Sequence, residues 1–223
     1  MMDMDVFFDE MSGNVAVWCA ASSDTGDLAK TAEYIVEHGM TLVSAAASDI
    51  EMLWAWLEKT PVRINARFYL PAHGGNIAVI SDMAAQINAA FKQGAHGAQV
   101  FLRMADLPSF VAEVSGVRDD LFFNRDLSIG IDITEIGAAD WDNVYAALRT
   151  LRARALVLVL PRDAGNKSDF VGRVYAALKN TDGACDLHFV LGNSPIRMEQ
   201  AMRLVRSLRP DMAGGVRMFV PTV

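Results

Sequence analysis

The sequence has 223 residues, of which 52% are hydrophobic and 21% charged, and its formal net charge at pH 7 is −7. This length and composition are typical of one globular domain with a sizeable core. With no apolar run long enough to span a bilayer and no basic stripe, we expect neither a membrane partner nor a nucleic-acid partner.

The first residues, MMDMDVFFDEM, are acidic where a secretory signal would be basic. We therefore expect a cytoplasmic protein in which residues 1–13 form an N-terminal extension to a single domain spanning residues 1–223. The two cysteines, Cys19 and Cys185, are too few and too far apart for a disulfide framework or a zinc site. We predict that both are reduced, buried thiols.

Eight short apolar runs recur from near the start of the chain to its end. They begin at residues 14, 41, 62, 97, 127, 155, 186 and 216. This recurrence of about thirty residues is the length of one strand–helix unit. The runs are NVAVWCAAS, TLVSAAAS, VRINARFYL, GAQVFLR, LSIGIDITE, ALVLVLP, DLHFVLGN and VRMFVP.

Helix boundaries can be read between these runs. Ser48 with Glu51 three residues later matches a capping box, and Ser194 precedes Pro195, which suits the first position of a helix. One further serine indicates a helix start and two glycines indicate helix ends: Ser81, Gly39 and Gly94.

Alternation of strand and helix predicts an α/β fold with a parallel sheet, either open or closed into a barrel. Eight units favour a (βα)8 TIM-type barrel. The third run supports this choice, because Arg63, Asn65, Arg67 and Tyr69 share one of its faces. An open sheet would bury that polar face beneath helices at high cost, whereas a barrel interior can supply partners from other strands.

The eighth strand runs to the end of the sequence, so we expect the eighth helix to be missing. The groove that it would cover lies between the first and seventh helices, where the segment DVFFDEM or another subunit would pack. We therefore expect a homo-oligomer.

The stretch RDLSIGIDITEI alternates bulky and small or polar side chains, as a strand with two different faces does. We expect Ile129, Ile131 and Ile133 to face the helices, and Ser128 and Asp132 to face the barrel axis. Asp132 would then be the inward residue nearest the carboxyl end of its strand, where barrels of this kind carry their active sites.

The same alternation turns His188 inward in DLHFVLGN, and Gln99 and Arg103 inward in GAQVFLRM. Arg63, Gln99 and Ser128 lie early in their strands, where we expect a structural charged layer. The remaining inward residues are the candidates for chemistry.

Arg67 and Arg103 come from adjacent predicted strands and could converge on one anion, because guanidinium groups bind carboxylate and phosphate bidentately. A carboxylate between two arginines stays ionised, so we predict that Asp132 is the catalytic base. His188 would be the complementary acid. Asn65 and Tyr69 would add polar contacts to the substrate.

The loop after the seventh strand, LGNSPIR, offers a phosphate-binding device ahead of a helix N-terminus. Gly192, Asn193 and Ser194 would supply it. The matching device after the eighth strand is absent from the sequence.

Several chemistries are disfavoured. A Schiff-base aldolase needs a lysine in the site, but the five lysines fall in predicted helices or loops. A glycosidase needs a second placed carboxylate beside Asp132. No Walker or Gly-x-Gly-x-x-Gly loop is present, which argues against nucleotide binding.

We therefore predict an enzyme that acts on a small anionic metabolite, a phosphorylated sugar or a carboxylate, by proton transfer, as an isomerase or a carbon–carbon lyase, without a cofactor. One alternative is a metal-dependent sugar isomerase or epimerase whose divalent ion is held by Asp132, His188, Glu135 and His73. The other is a non-catalytic ligand-binding barrel subunit.

Overall fold

The computed structural model describes residues 12–20, 25–71, 77–160, 167–192 and 194–221. Eight strands pair in parallel, in sequence order, to form a closed barrel that confirms the predicted fold. Pairing of the first strand with the eighth, Val15 opposite Met218, closes it. The strands are β1 (Val15–Trp18), β2 (Leu42–Ala46), β3 (Arg63–Tyr69), β4 (Gly97–Phe101), β5 (Asp126–Asp132), β6 (Ala155–Val159), β7 (Asp186–Val190) and β8 (Arg217–Pro221).

Eight α-helices lie between these strands in the described ranges, and two of them share the connection from β4 to β5. No helix follows β8 in the described residues, which end at residue 221. None of the described helices is both long enough and apolar enough to cross a membrane. The helices are α1 (Thr25–Glu37), α2 (Ile50–Leu57), α3 (Ile77–Lys92), α4 (Leu107–Ser115), α5 (Arg118–Leu121), α6 (Trp141–Leu151), α7 (Lys167–Asn180) and α8 (Pro195–Leu208).

The barrel wall separates two cores. Ile129 and Ile131 belong to the larger core, which lies between the sheet and the helices, as the alternation of β5 predicts. A smaller core fills the barrel axis and contains Ala16, Phe101 and Phe219. Aromatic side chains thus occupy the interior, which the sequences of β1 and β4 had not predicted.

The glycine within β5 is explained by this inner core. A Cβ atom on Gly130 would lie 2.1 Å from Cδ1 of Phe101, whose ring crosses the inner face of β5. The small inward residues of the sequence pattern therefore make room for an aromatic ring of the neighbouring strand.

Helix boundaries were predicted unevenly. Ser194 caps α8 by accepting a hydrogen bond from the Arg197 N–H at 3.4 Å, as predicted. Gly39 and Gly94 follow α1 and α3 with φ of +60° and +109°, which confirms both helix ends. The start at Ser81 was wrong, because the IAVI segment before it joins the helix, which begins at residue 77.

The capping box at Ser48 was also wrong. Residues 47–49 form a 3-10 turn, so α2 begins at Ile50. The Ser48 hydroxyl donates to the Asp49 carboxylate at 2.8 Å instead of capping the helix. Cys19 and Cys185 are free and buried, as expected.

Candidate functional site

The carboxyl end of the barrel is lined by aromatic rings at the strand ends. Trp18 contacts Phe101 edge-to-face at a centroid distance of 5.4 Å and Phe219 at 5.8 Å. Tyr69 stacks on Phe101 at 5.2 Å and is 61% exposed. These rings form a floor across the inner core, with the Tyr69 ring at its solvent-facing edge.

Arg67 lies beside this floor and is 7% exposed. Its Cζ is 4.3 Å from the centre of the Trp18 ring, a cation–π contact. One terminal nitrogen donates to the Ser44 carbonyl at 2.6 Å and the other to the Cys19 carbonyl, whereas the buried Nε has no partner among the described residues. Burial lowers the pKa of Arg67, opposed by Tyr69, Cys19 and Asp49.

Asp132 ends β5 and fixes the turn that follows it. Its Oδ1 accepts hydrogen bonds from the Thr134 N–H at 2.8 Å and the Thr134 hydroxyl at 2.7 Å. Neither of these bonds uses Oδ2. Glu135 in the same turn accepts from the Met104 N–H at 2.7 Å and so joins the loops after β4 and β5.

Arg103, the second predicted anion contact, is bound by a neighbouring carboxylate. It follows the end of β4, and its guanidinium forms a bidentate ion pair with Asp106, at 2.8 and 3.0 Å. The carboxylate raises the pKa of Arg103. Because β4 ends at Phe101, strand alternation no longer fixes the direction of this side chain, and its local acid holds it.

His188 and Asn65 are inward, as expected, but lie towards the other end of the barrel. Both line a cavity at the amino ends of the strands, together with Arg63 and Arg217. In the strand register, Asp132 pairs with Val159 of β6, whereas His188 pairs with Val157. Val157 lies one inward position closer to the amino end of β6 than Val159 does. The structure therefore does not bring the predicted acid and base together.

The loop after β7 is described in part. Gly192 has φ of +68°, and the Ser194 side chain caps its own helix. Asn193 lies outside the described residues, as does His73. The phosphate-binding device at this loop stays a prediction.

No group of three or more His, Cys, Asp or Glu side chains among the described residues is arranged to hold a metal ion. Of the four alternative ligands, His188 lies away from Asp132 and Glu135, and His73 is not described. All eight strands lack a lysine, so none places an amine inside the barrel.

Sequence reasoning missed two residues at this end. Asp49, 3% exposed, lies in the turn after β2 and acts electrostatically on both Arg67 and Cys19. Its place in the turn that follows β2, three residues beyond the strand end, was a usable signal. Trp18 was hidden because β1 is apolar on both faces. Burial, with Asp49, raises the pKa of Cys19 to about 11, so this thiol stays protonated at neutral pH.

No protein-family model and no curated protein matches the sequence. Among solved structures, the barrel is similar to a provisionally named deoxyribose-phosphate aldolase from Toxoplasma gondii ME49, with 10% identity and a TM-score of 0.76 over 98% of this chain and 91% of that chain. The barrel is also similar to a tetrameric deoxyribose phosphate aldolase from Aeropyrum pernix, with 10% identity and a TM-score of 0.72 over 99% of this chain and 94% of that chain.

A provisionally named copper homeostasis protein, CutC, from Streptococcus agalactiae shares the fold as well, with 11% identity and a TM-score of 0.65 over 94% of this chain and 98% of that chain. At such identities the likeness establishes the barrel fold. Function has to be argued from the site itself.

Proposed function

We propose that this chain is an enzyme that acts on a small anionic metabolite, a phosphorylated sugar or a carboxylate, at the carboxyl end of the barrel. Its chemical step is proton transfer, and its class is lyase or isomerase. Two of the similar structures are described as aldolases of a sugar phosphate, which supports this substrate class. The residues at the carboxyl end provide the rest of the support.

The observation that carries the proposal is one buried donor of Arg67, its Nε, in a guanidinium that also hydrogen-bonds Tyr69. Its terminal nitrogens are held by two carbonyl oxygens, while its Nε is a buried donor without a partner among the described residues. Leaving such a donor unpaired costs about 1–3 kcal/mol. A carboxylate or phosphate oxygen is the strongest hydrogen-bond acceptor to which this Nε–H could donate.

Asp132 is the proposed base. Oδ1 is held in place by Thr134, and Oδ2 can accept a proton from a carbon next to a carbonyl, which gives isomerisation. Taking the proton from a substrate hydroxyl would instead start carbon–carbon cleavage. Arg67 would stabilise the negative charge that develops in either reaction. We assign His188 no part in this step, because its ring packs against Phe219 of the aromatic floor and lines the cavity at the amino end.

A Schiff-base route is not proposed. It requires a lysine amine that can reach the substrate carbonyl in a desolvated site. The strands supply none, and Lys30, Lys59, Lys92 and Lys179 lie outside the barrel on helices or turns. The fifth lysine, Lys167, is the first residue of α7, and its side chain lies outside the described part of the structure. Borohydride added with a substrate should therefore trap no covalent adduct.

Hydrogen exchange tests the function. The protein is incubated in D2O with phosphorylated sugars and small carboxylic acids, and NMR records the exchange of carbon-bound protons and any product formed. We expect at least one compound to exchange or cleave, and Asp132→Asn to abolish the reaction while binding is retained. A reaction that Asp132→Asn leaves intact would refute the assignment of the base.

The non-catalytic alternative rests on one observation. Arg103, the second predicted anion contact, is occupied by Asp106, so the described residues include only one guanidinium with a buried unpaired donor at this end. Binding of a compound without exchange would favour that alternative. Exchange that stops on exhaustive chelation would favour the metal-dependent one.

The expected homo-oligomer also remains a proposal. One structural neighbour is described as tetrameric. Light scattering of the full chain would give the mass of the assembly directly, and a monomer at working concentration would rule the proposal out.

A further inference from the structure

A polar cavity of about 340 Å³ lies at the amino end of the barrel, opposite the proposed active site. It is lined by the first residues of four strands, Arg63, Asp126, Asp186 and Arg217. Its volume is at the lower end of the range for small-molecule pockets. Nothing in the proposed reaction uses it.

The charges around this cavity do not balance. Arg63 pairs with Asp126 at 2.7 Å, and Arg154 pairs with Asp186 at 2.9 Å. The remaining cation, Arg217, donates to the carbonyls of Gly214 and Val216 and forms no ion pair with a described carboxylate. The cavity therefore holds one more guanidinium than carboxylates among its lining residues.

Two buried polar side chains also line it without complete partners. His188 is 5% exposed and Asn65 is 4% exposed, yet the His188 Nδ1 and the Asn65 Oδ1 have no hydrogen-bond partner among the described residues. Native structures seldom leave such atoms unpaired. Since the amide of Asn65 can present its nitrogen by a half-turn, both side chains can donate into the cavity.

We propose that this cavity binds a small oxyanion, the carboxylate or phosphate group of a metabolite, through the guanidinium of Arg217 with Arg63 and Arg154 at the rim. His188 and Asn65 form its polar inner wall. The ligand supplies the negative charge that the lining residues lack and partners the two orphaned side chains. The site is independent of the carboxyl-end chemistry.

The state of His188 is consistent with this role. Burial, with Arg217 and Arg154, lowers its pKa to about 3, so the imidazole is neutral at physiological pH. A neutral imidazole can donate one hydrogen bond to an anion without adding a buried charge of its own. A bound anion would oppose the arginine field and raise the pKa of His188.

The test is titration of the full chain with inorganic phosphate and, separately, with malonate, each at constant ionic strength against sodium chloride. Thermal denaturation and NMR of the His188 imidazole report binding. We expect one of these anions to raise the melting temperature in a saturable manner and to shift the His188 signal, and the choice between them distinguishes the phosphate from the carboxylate source.

Arg217→Gln should weaken that binding about tenfold or more, as expected for loss of a charge-assisted hydrogen bond. If Arg217→Gln does not fold, Arg63→Gln and Arg154→Gln provide the same test. Their side chains are 49% and 65% exposed, so we expect these two variants to fold. Arg67→Gln, which removes the proposed anion contact at the carboxyl end, should leave this anion binding unchanged, and that result separates the cavity from the proposed active site.

The proposal is overturned if neither anion stabilises the protein more than chloride does. It is equally overturned if binding persists undiminished in the arginine variants, or if the His188 signal stays fixed at saturation. Failure to find any exchanging substrate would not alter these results, since they require no turnover.

Discussion

The guanidinium carbon of Arg67 lies 4.3 Å from the centre of the Trp18 ring, while its terminal nitrogens donate to the main-chain carbonyls of Cys19 and Ser44. One side chain of β3 thus ties together the carboxyl ends of β1 and β2. At the other end of the same strand, Arg63 makes a half-exposed ion pair with Asp126. The two arginines share a strand face, but their different surroundings predict that substitution of Arg67 costs more stability than substitution of Arg63.

Arg67→Lys should lower the free energy of unfolding by about 1–3 kcal/mol, because one ammonium cannot bond both carbonyls and also stack on Trp18. Arg63→Lys is the matched control, since it removes only part of an exposed ion pair and should cost less than about 1 kcal/mol. Urea denaturation of both variants measures the contrast. Equal losses would show that Arg67 does not hold the strand ends.

Gly130→Ala should destabilise the protein by about 1–3 kcal/mol through overpacking. The new methyl would lie 2.1 Å from the Phe101 ring, which cannot retreat because Trp18 and Tyr69 pack against it. Gly172→Ala is the control, because a Cβ there meets no atom within 4 Å and helix propensity favours alanine. Chemical denaturation should show a lower free energy of unfolding for Gly130→Ala and a higher one for Gly172→Ala. A Gly130→Ala variant as stable as the wild type would contradict the packing described.

Stability should fall as the pH drops below about 6.5. Burial lowers the pKa of His188 from 6.5 to about 3 and also lowers that of His96, whose Nδ1 accepts from the Ile64 N–H. Between pH 6.5 and about 3 the unfolded chain therefore binds more protons than the folded one at His188, which removes up to about 1.4 kcal/mol of stability per pH unit. His96 contributes in the same direction.

His188→Gln should flatten this decline, measured by urea denaturation at about pH 7 and about pH 5. The variant and the wild type are compared by their change between the two pH values, so that any constant cost of the substitution cancels. An unchanged slope would mean that His188 is not held neutral by its surroundings.

Both thiols should resist a thiol reagent in the folded protein at neutral pH. Burial raises the pKa of Cys19 to about 11 and that of Cys185 to about 12, and the thiolate is the reactive form. Ellman's reagent should report both groups only after denaturation. Rapid labelling of native protein would place a cysteine at an open, reactive site.

Much of the fold was readable from the sequence because strand alternation in a barrel leaves a polar interior pattern. β3 and β5 carry that pattern, and their faces were predicted correctly. β1 and β6 are apolar on both faces, so the inward Trp18 could not be identified. Alternation also says nothing about height along the axis, which is why His188 was expected beside Asp132 and lies at the amino end instead.

Arg103 illustrates the second limit. Its sequence position fits the inward face of β4, but the strand ends two residues earlier and Asp106, three residues later, binds the guanidinium. Local partners of this kind become visible only once the turn after the strand is known. The amino-end cavity was missed for a similar reason, since its residues come from four strand starts that only the closed barrel brings together.

The most direct test of the carboxyl-end site is the concentration dependence of hydrogen exchange with whichever compound reacts. Arg67→Gln, checked by circular dichroism for retention of the fold, should raise KM about tenfold or more, since it removes a charged donor from the substrate. Arg149→Gln, which breaks an exposed ion pair with Asp182 on the outside of the barrel, should leave KM unchanged. An Arg67→Gln variant with the wild-type KM would contradict the account.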